Sequence, residues 1–494
     1  LAIFLAMTAA RPNILFIMTD QQRFDCVGAN GNDVIRTPNL DRLAAGSANF
    51  SSCFVQAPVC TPSRQTFFTG RYPHSHRNRV NYTPMDPSEI LMQSYLQDAG
   101  YATGVIGKLH YWPPTRDFAL STGFDCGLIH DAGPVNEYSD YVTWLEERSS
   151  FTADNFRDCA PPAAGRNPFT SRIPDELHET TWCGEQSRAM LREMAAGDPP
   201  FFLFSSYWKP HAPFEVPEPW ASMYDDVVFD LPTTRSRDHI ESLPLPVQRL
   251  ALRSDPPDHR VDDETLMWRY RSYYAAVSHL DREVGLTLDL LEELDVAHNT
   301  IVIFCSDHGD QLLEHGIHGK NAFYEGSIHV PMMIRQPSVI SPGTYPDLME
   351  TTDLLPTLFD LADVPIPVKA QGRSVAGLIT PRDQPYEPRQ HVFCENIIPE
   401  VITNRTFDMD YVPGRGVGGI RHPDAKMVRT DRWKYSYYVG HADELYDIID
   451  DPGETRNLAA DPGHQPVVRQ LRDALLDWLI TADETDQIAP RWCV

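Results

Sequence analysis

Chemistry is concentrated first at Cys60-Thr61-Pro62-Ser63-Arg64, continued by Gln65-Thr66-Phe67-Phe68-Thr69-Gly70-Arg71. Proline suits the first turn of a helix, and Phe67 and Phe68 would pack inward, so on one account Cys60 is a buried structural thiol. On the other it is a nucleophile, because a helix N-terminus and a neighbouring arginine both favour an anionic group. Two further clusters, Asp20-Gln21-Gln22 and Ser306-Asp307-His308, offer side chains of the kind that hold metal ions. An acidic residue just past an apolar run is often only a helix cap. Two such clusters, each with ligand-type neighbours, point to a metal site.

The elements that must carry these residues are visible as apolar runs. Asn13–Thr19 is a continuous apolar run ending in Asp20, the form of a buried parallel strand, and similar runs recur at Ala102–Gly107, Phe201–Ser205 and Thr300–Cys305. Helical patterns lie between them at Ser88–Ala99, Glu176–Ala195 and Asp262–Leu294. Strands alternating with helices predict an α/β fold with a large doubly wound sheet, and open sheets of that kind place their sites at the carboxyl ends of strands. After about residue 380 the texture changes to short strand-like runs at His391–Glu395, Ala425–Val428 and Trp433–Tyr438, then an amphipathic helix at Pro466–Ile480. The expected division is therefore residues 1–10 as a leader or added remnant, 11–380 as the large domain, and 381–494 as a smaller α+β domain.

The C-x-P-S-R run followed by T-G-R resembles the signature of type I sulfatases, in which a separate enzyme oxidises the cysteine to formylglycine, an aldehyde that hydrates to a gem-diol. The resemblance continues in the family's order through RPNILFIMTDQQ, RTPNLDRLAAGSANF, GYATGVIGKLH, KPHAPF, SDHGDQLLEHG and HGKNAFYEGSIHVPMMIR. TDRWKYSYY and ELYDIIDDPGETRNLA are similar to its usual ending. It spans nearly the whole chain and is weakest over residues 130–200 and 215–260. It implies an alkaline-phosphatase-like mixed sheet flanked by helices.

Carried over by position, the resemblance implies Asp20, Gln21, the oxygen on residue 60, Asp307 and His308 as metal ligands. Many sulfatases have Asp-Asp and Asp-Asn at these pairs; Asp-Gln and Asp-His resemble the choline-sulfatase-like and phosphonate monoester hydrolase-like branches. An oxygen-rich set favours Ca²⁺, while a histidine nitrogen admits Mn²⁺ as the alternative. By the same resemblance Arg64 holds residue 60, and Lys108 and His110 bind the substrate's oxyanions. His211 and Lys320 flank the leaving-group oxygen, and Asn81 matches a position that contacts the bound group. The implied chemistry is attack by a diol oxygen on sulfur or phosphorus, then release of the covalent ester as the aldehyde reforms. The expected reaction is hydrolysis of sulfate monoesters, with phosphonate monoester or phosphodiester hydrolysis as the alternative. Tyr111, Trp112 and Trp208 lie near these residues and are candidates to stack on an organic group.

The net charge of −27 excludes a general nucleic-acid binder, and it requires a site for an anion to gather Lys, Arg and metal charge locally. The 42 prolines, scattered and above the usual share of about 5%, predict long ordered loops. The nine cysteines are irregularly spaced without a C-x-x-C pair, so the reading is a mostly reduced chain, cytoplasmic rather than periplasmic or secreted. Leu1–Met7 is apolar but far short of the roughly 20 residues that span a bilayer, so it reads as a signal remnant or as an extension ahead of a start at Met7. The expected partners are a small anionic ester and the formylglycine-generating maturation enzyme, with neither nucleic acid nor membrane; a homo-oligomer stays open. His315 and His318, the glycine-rich Gly414–Gly419, the sequons at Asn49 and Asn404, and the Tyr138, Tyr141, Trp144, Leu145 spacing carry no chemistry on this reading.

Overall fold

The apolar run after Pro12 forms strand β1 (Asn13–Asp20), and its side chains alternate between two cores. Ile14, Phe16 and Met18 pack on one face with Phe67 and Phe68; Leu15 and Ile17 pack on the other with Trp182, Leu280 and Val284. Burial on both faces is why the run is continuously apolar rather than alternating. The computed structural model describes residues 11–131, 139–159, 167–252, 261–381, 386–397 and 424–482.

The other strands are β2 (Ala48–Phe50), β3 (Cys53–Phe54), β4 (Ala102–Gly107), β5 (Cys126–Ile129), β6 (Phe201–Pro210), β7 (Thr300–Ser306), β8 (Met332–Arg335), β9 (Gly343–Tyr345) and β10 (Met349–Glu350). The main sheet has eight strands in the order β5-β4-β6-β1-β7-β8-β2-β9. The first five run parallel, and β8 lies antiparallel to both β7 and β2. The sheet is thus mixed and doubly wound, with β1 between β6 and β7. The three strands that carry Asp20, His211 and Asp307 at or just beyond their carboxyl ends therefore lie side by side.

One face carries the helix Cys60–Thr69, all of whose residues are buried. The other carries the long helices Glu179–Ala195 and Asp263–Glu293. Three expected boundaries shift by three residues or more. The helix expected from Glu176 begins at Glu179, after a separate short turn at Asp175–Leu177. The helix expected from Ser88 begins at Met92, because Asp86 accepts the Ser88 N–H at 2.9 Å and turns the chain first. Strand β6 runs on to Pro210, five residues past the expected end.

A second sheet is antiparallel, with β11 (Val392–Ile397), β12 (Asp424–Arg429), β13 (Trp433–Tyr438) and β14 (Glu444–Asp447) in that order. Helix Gln465–Ala482 covers it through Val468, Leu471, Leu475 and Trp478, the one-face spacing that made it legible as amphipathic. Gly414–Gly419, Asn404 and Tyr138 lie outside the described residues, whereas Tyr141 and Leu145 pack into a core. Among the described residues no helix is long and apolar enough to cross a membrane, and the eight described cysteines are all free.

Candidate active site

Cys60 opens its helix, with Val59 extended before it and Gly70 ending it at φ 65°. Asn81 Oδ1 accepts the Thr61 N–H at 3.0 Å, satisfying one of the unpaired donors of that first turn. The Cys60 side chain meets three groups from distant parts of the chain. His308 Nε2 lies 3.1 Å from Sγ, Lys320 Nζ lies 2.8 Å away, and Asp20 Oδ1 lies 3.9 Å away. Burial and the Asp20 charge push the thiol up, but Lys320, Lys108 and His308 outweigh them and hold it below its ordinary value.

Asp20, Cys60, Asp307 and His308 are all buried, and their ligand atoms lie within 4.8 Å of one another. The orientation of His308 fits a cation. Its Nδ1 donates to the Gly309 carbonyl at 2.9 Å, which points Nε2 at the cluster, where a bound cation would take the place of its proton. Gln21 completes the edge at φ 73°. Its Oε1 accepts from Lys320 Nζ at 2.9 Å, and its Nε2 donates to Asp310, which fixes the amide's orientation. Two carboxylates, an imidazole nitrogen and an amide oxygen suit a divalent metal.

Arg64 lies fully buried behind these groups. It reaches Asp307 Oδ2 at 2.7 Å, Asp20 Oδ2 at 3.4 Å, the Lys108 carbonyl at 2.7 Å and Ser206 Oγ at 2.8 Å. Burial would raise the Asp20 carboxyl, but the charges of Lys108, Lys320 and Arg64 hold it well below the usual carboxylate range. Lys108 Nζ lies 2.5 Å from Asp20 Oδ2 and 3.9 Å from the centre of the Trp208 ring. The turn that delivers it requires Gly107 at φ 94°, where any Cβ would fall 2.0 Å from the Ser206 carbonyl oxygen.

His110 follows at φ 59°, with its N–H donated to Asp131 Oδ2 at 2.7 Å and its carbonyl accepting from Thr61 Oγ1 at 3.1 Å. Both its ring nitrogens are buried without a protein partner, and burial followed by the Lys108 charge keeps the ring neutral. His211 is neutral for the same kind of reason, burial and then the Lys320 charge, and its Nδ1 donates to the Ala212 carbonyl at 2.6 Å. Asp20, Gln21, Cys60, Arg64, Asn81, Lys108, His110, Asp307, His308 and Lys320 are joined through these contacts, with His211 brought within their electrostatic reach.

The three aromatic candidates part company: Trp208 lies against the site, edge-on to His211 at 5.1 Å between centroids, while Tyr111 turns away from it. Tyr111 is a core residue packed edge-on to Phe68, and Trp208 is buried with Lys108 and Arg157 both over its ring. Trp112 keeps partial exposure and meets Tyr82 instead. Tyr82, Asp131, Ser206 and Asp310 were missed by the sequence reading. Asp310 was findable as the next acid in the Ser306–His308 cluster; the others are brought in by non-local packing. His315 stacks on Tyr324 while His318 is exposed, so the pair shares no site, and Asn49 is buried in β2.

The sulfatase family model matches residues 12–364, and the chain belongs to that family of enzymes. It is 29% identical to the arylsulfatase of Clostridium perfringens, over 96% of this chain and 95% of that protein. It is also 29% identical to the choline-sulfatase of Rhizobium meliloti, over 92% of this chain and 84% of that one. The solved phosphonate monoester hydrolase of Silicibacter pomeroyi superimposes with a TM-score of 0.83 at 26% identity, covering 96% of both chains. The fold is the alkaline-phosphatase-like one expected.

Proposed function

We propose that this chain hydrolyses sulfate monoesters, using a formylglycine made from Cys60 and one divalent cation held by Asp20, Gln21, Asp307, His308 and residue 60. The observation that carries the reading is the convergence on one side chain of His308, Lys320 and Asp20 at 3.1, 2.8 and 3.9 Å. The hydrated aldehyde and the cation together supply a nucleophilic hydroxyl at neutral pH. Oxygen donors favour Ca²⁺, and the His308 nitrogen keeps Mn²⁺ as the alternative.

The chain's own residues do the rest. Arg64 locks Asp307, Asp20 and the turn after β4 into one rigid frame around residue 60. Lys108 and the unpartnered His110 ring face the oxygens that stay on the transferred atom, in a water-poor site where such contacts are strong. Lys320 carries the proton the departing oxygen needs. His211, neutral with Nδ1 already engaged, presents Nε2 as an acceptor beside it. Overall, water is consumed, the S–O bond to the organic group is broken, and an alcohol or phenol and sulfate leave.

Phosphonate monoester hydrolysis is the second reading, favoured by the Asp-Gln and Asp-His pairs and by the likeness to the Silicibacter pomeroyi structure. Comparing kcat/KM on 4-nitrophenyl sulfate with that on 4-nitrophenyl phenylphosphonate tests the order. Sulfate faster supports the first reading; a strong preference for the phosphonate reverses it.

A further inference from the structure

The rim beside His110 carries an aromatic wall to which no role has been given. Tyr82 lies edge-on to the His110 ring at 5.5 Å between centroids and edge-on to Trp112 at 5.7 Å. Both tyrosine and tryptophan stay partly exposed, unlike Tyr111 and Trp208. The wall is built rather than loose. Asn81, the residue before Tyr82, accepts the Thr61 N–H in the first turn of the Cys60 helix at 3.0 Å, and Asn78 Nδ2 donates to the Thr83 carbonyl at 3.1 Å. Tyr82 itself sits at φ 63°, a conformation that costs an aromatic residue energy and is tolerated where the surroundings over-determine it, often at functional sites. Burial and then the charge of Cys60 push its hydroxyl up to about 12, so it stays neutral in the working range and lies within the field of residue 60.

Position decides what such a wall receives. In an in-line displacement the leaving oxygen departs on the side away from the nucleophile, and the other three substituents lie around the equator of the transferred atom. In the reading above, His110 faces those equatorial groups, while His211 and Lys320 face the leaving oxygen. The wall adjoins His110. A sulfate monoester has only oxygens at the equator and leaves the wall without work. A phosphonate monoester has a carbon group there, and a phosphodiester has a second alkoxy group.

We propose that Tyr82 and Trp112 form a subsite for an apolar substituent on the transferred atom itself, so that the site also takes aryl phosphonate monoesters and selects among them by that substituent. The proposal rests on the assignment of His110 to the non-leaving oxygens. In the added reaction water is consumed and the P–O bond to the leaving aryl group is broken. The phosphorus–carbon bond is untouched, and a phosphonate and a phenol are released.

The test compares 4-nitrophenyl phenylphosphonate with 4-nitrophenyl methylphosphonate, which share a leaving group and differ only at the equator, on the fully modified, metal-loaded enzyme. The parent enzyme is expected to favour the phenyl compound by about tenfold in kcat/KM, the order expected for modest apolar contact. Tyr82→Ala and Trp112→Leu should each bring that ratio close to one, and Tyr82→Phe, which keeps the ring, should retain it. If one variant fails to fold, the other still reads the ratio. A parent enzyme without phenyl preference, or a preference unchanged in both Tyr82→Ala and Trp112→Leu, overturns the proposal. Failure of the parent reading is separate: it would show as no turnover of 4-nitrophenyl sulfate or of either phosphonate.

Discussion

The Arg64 Nε and Asp307 Oδ2 lie 2.7 Å apart with both side chains wholly removed from solvent. Removing one partner of such a pair leaves an uncompensated buried charge and costs about 3–5 kcal/mol. Arg64→Ala should therefore lower the thermal midpoint clearly as well as abolish turnover. Arg64→Lys should not restore it, since one ammonium cannot reach the four groups the guanidinium holds. A differential scanning measurement showing an unchanged midpoint for either variant would contradict the framework role.

Lys320 should matter most when the leaving group is poor. If it supplies the departing oxygen's proton, Lys320→Ala should lower kcat/KM on phenyl sulfate by about a hundred- to ten-thousand-fold. It should lower it markedly less on 4-nitrophenyl sulfate, whose phenolate leaves unaided. Equal losses on the two substrates would assign Lys320 to anion binding instead.

Exhaustive chelation should reduce turnover by at least about a hundredfold, and adding back a divalent ion should restore it, because the ion is asked to supply several kcal/mol. Separate additions of Ca²⁺ and Mn²⁺ followed by bound-metal analysis identify which ion the Asp-Gln and Asp-His pairs hold. Full activity with no bound metal would rule out the donor set as the cation site.

Acid sensitivity follows from buried neutral histidines. Burial, the largest cause, lowers His76 to about 3, and lowers His329 to about 4 against the opposing charge of Glu325. An unfolded histidine titrates near 6.5, so between that value and the folded one the unfolded chain binds more protons. Stability is therefore present above pH of about 6.5 and is lost as pH falls towards 4. His329 stacks on Phe24 at 3.9 Å. His329→Gln removes one such proton, and the fall of thermal midpoint with decreasing pH should become shallower than in the parent. An identical slope would contradict this assignment.

Much of this arrangement was legible in the sequence because it rests on local signals. The apolar runs of β1, β4 and β7 are buried on both faces, and Asp20 and Asp307 stand at or just past their ends, where parallel sheets expose side chains. The rest depends on non-local packing. Tyr111 and Trp112 are adjacent in sequence, yet one faces the core under Phe68 and the other the rim with Tyr82. Left-handed backbone at Gln21, Tyr82 and His110 aims side chains in directions that no periodicity predicts. Trp208 was a candidate to stack on a ligand, but it lies buried two residues before the end of β6, edge-on to His211 and with Lys108 and Arg157 of the chain itself over its ring.

The central claim is the nucleophile. The most direct measurement is peptide mass spectrometry across Cys60, on protein co-expressed with a formylglycine-generating enzyme. The account predicts a peptide bearing an aldehyde, or its hydrate, in place of the thiol-bearing carbon at residue 60, with turnover rising in proportion to the modified fraction. An unmodified Cys60 in protein that nonetheless hydrolyses sulfate esters at full rate would contradict it.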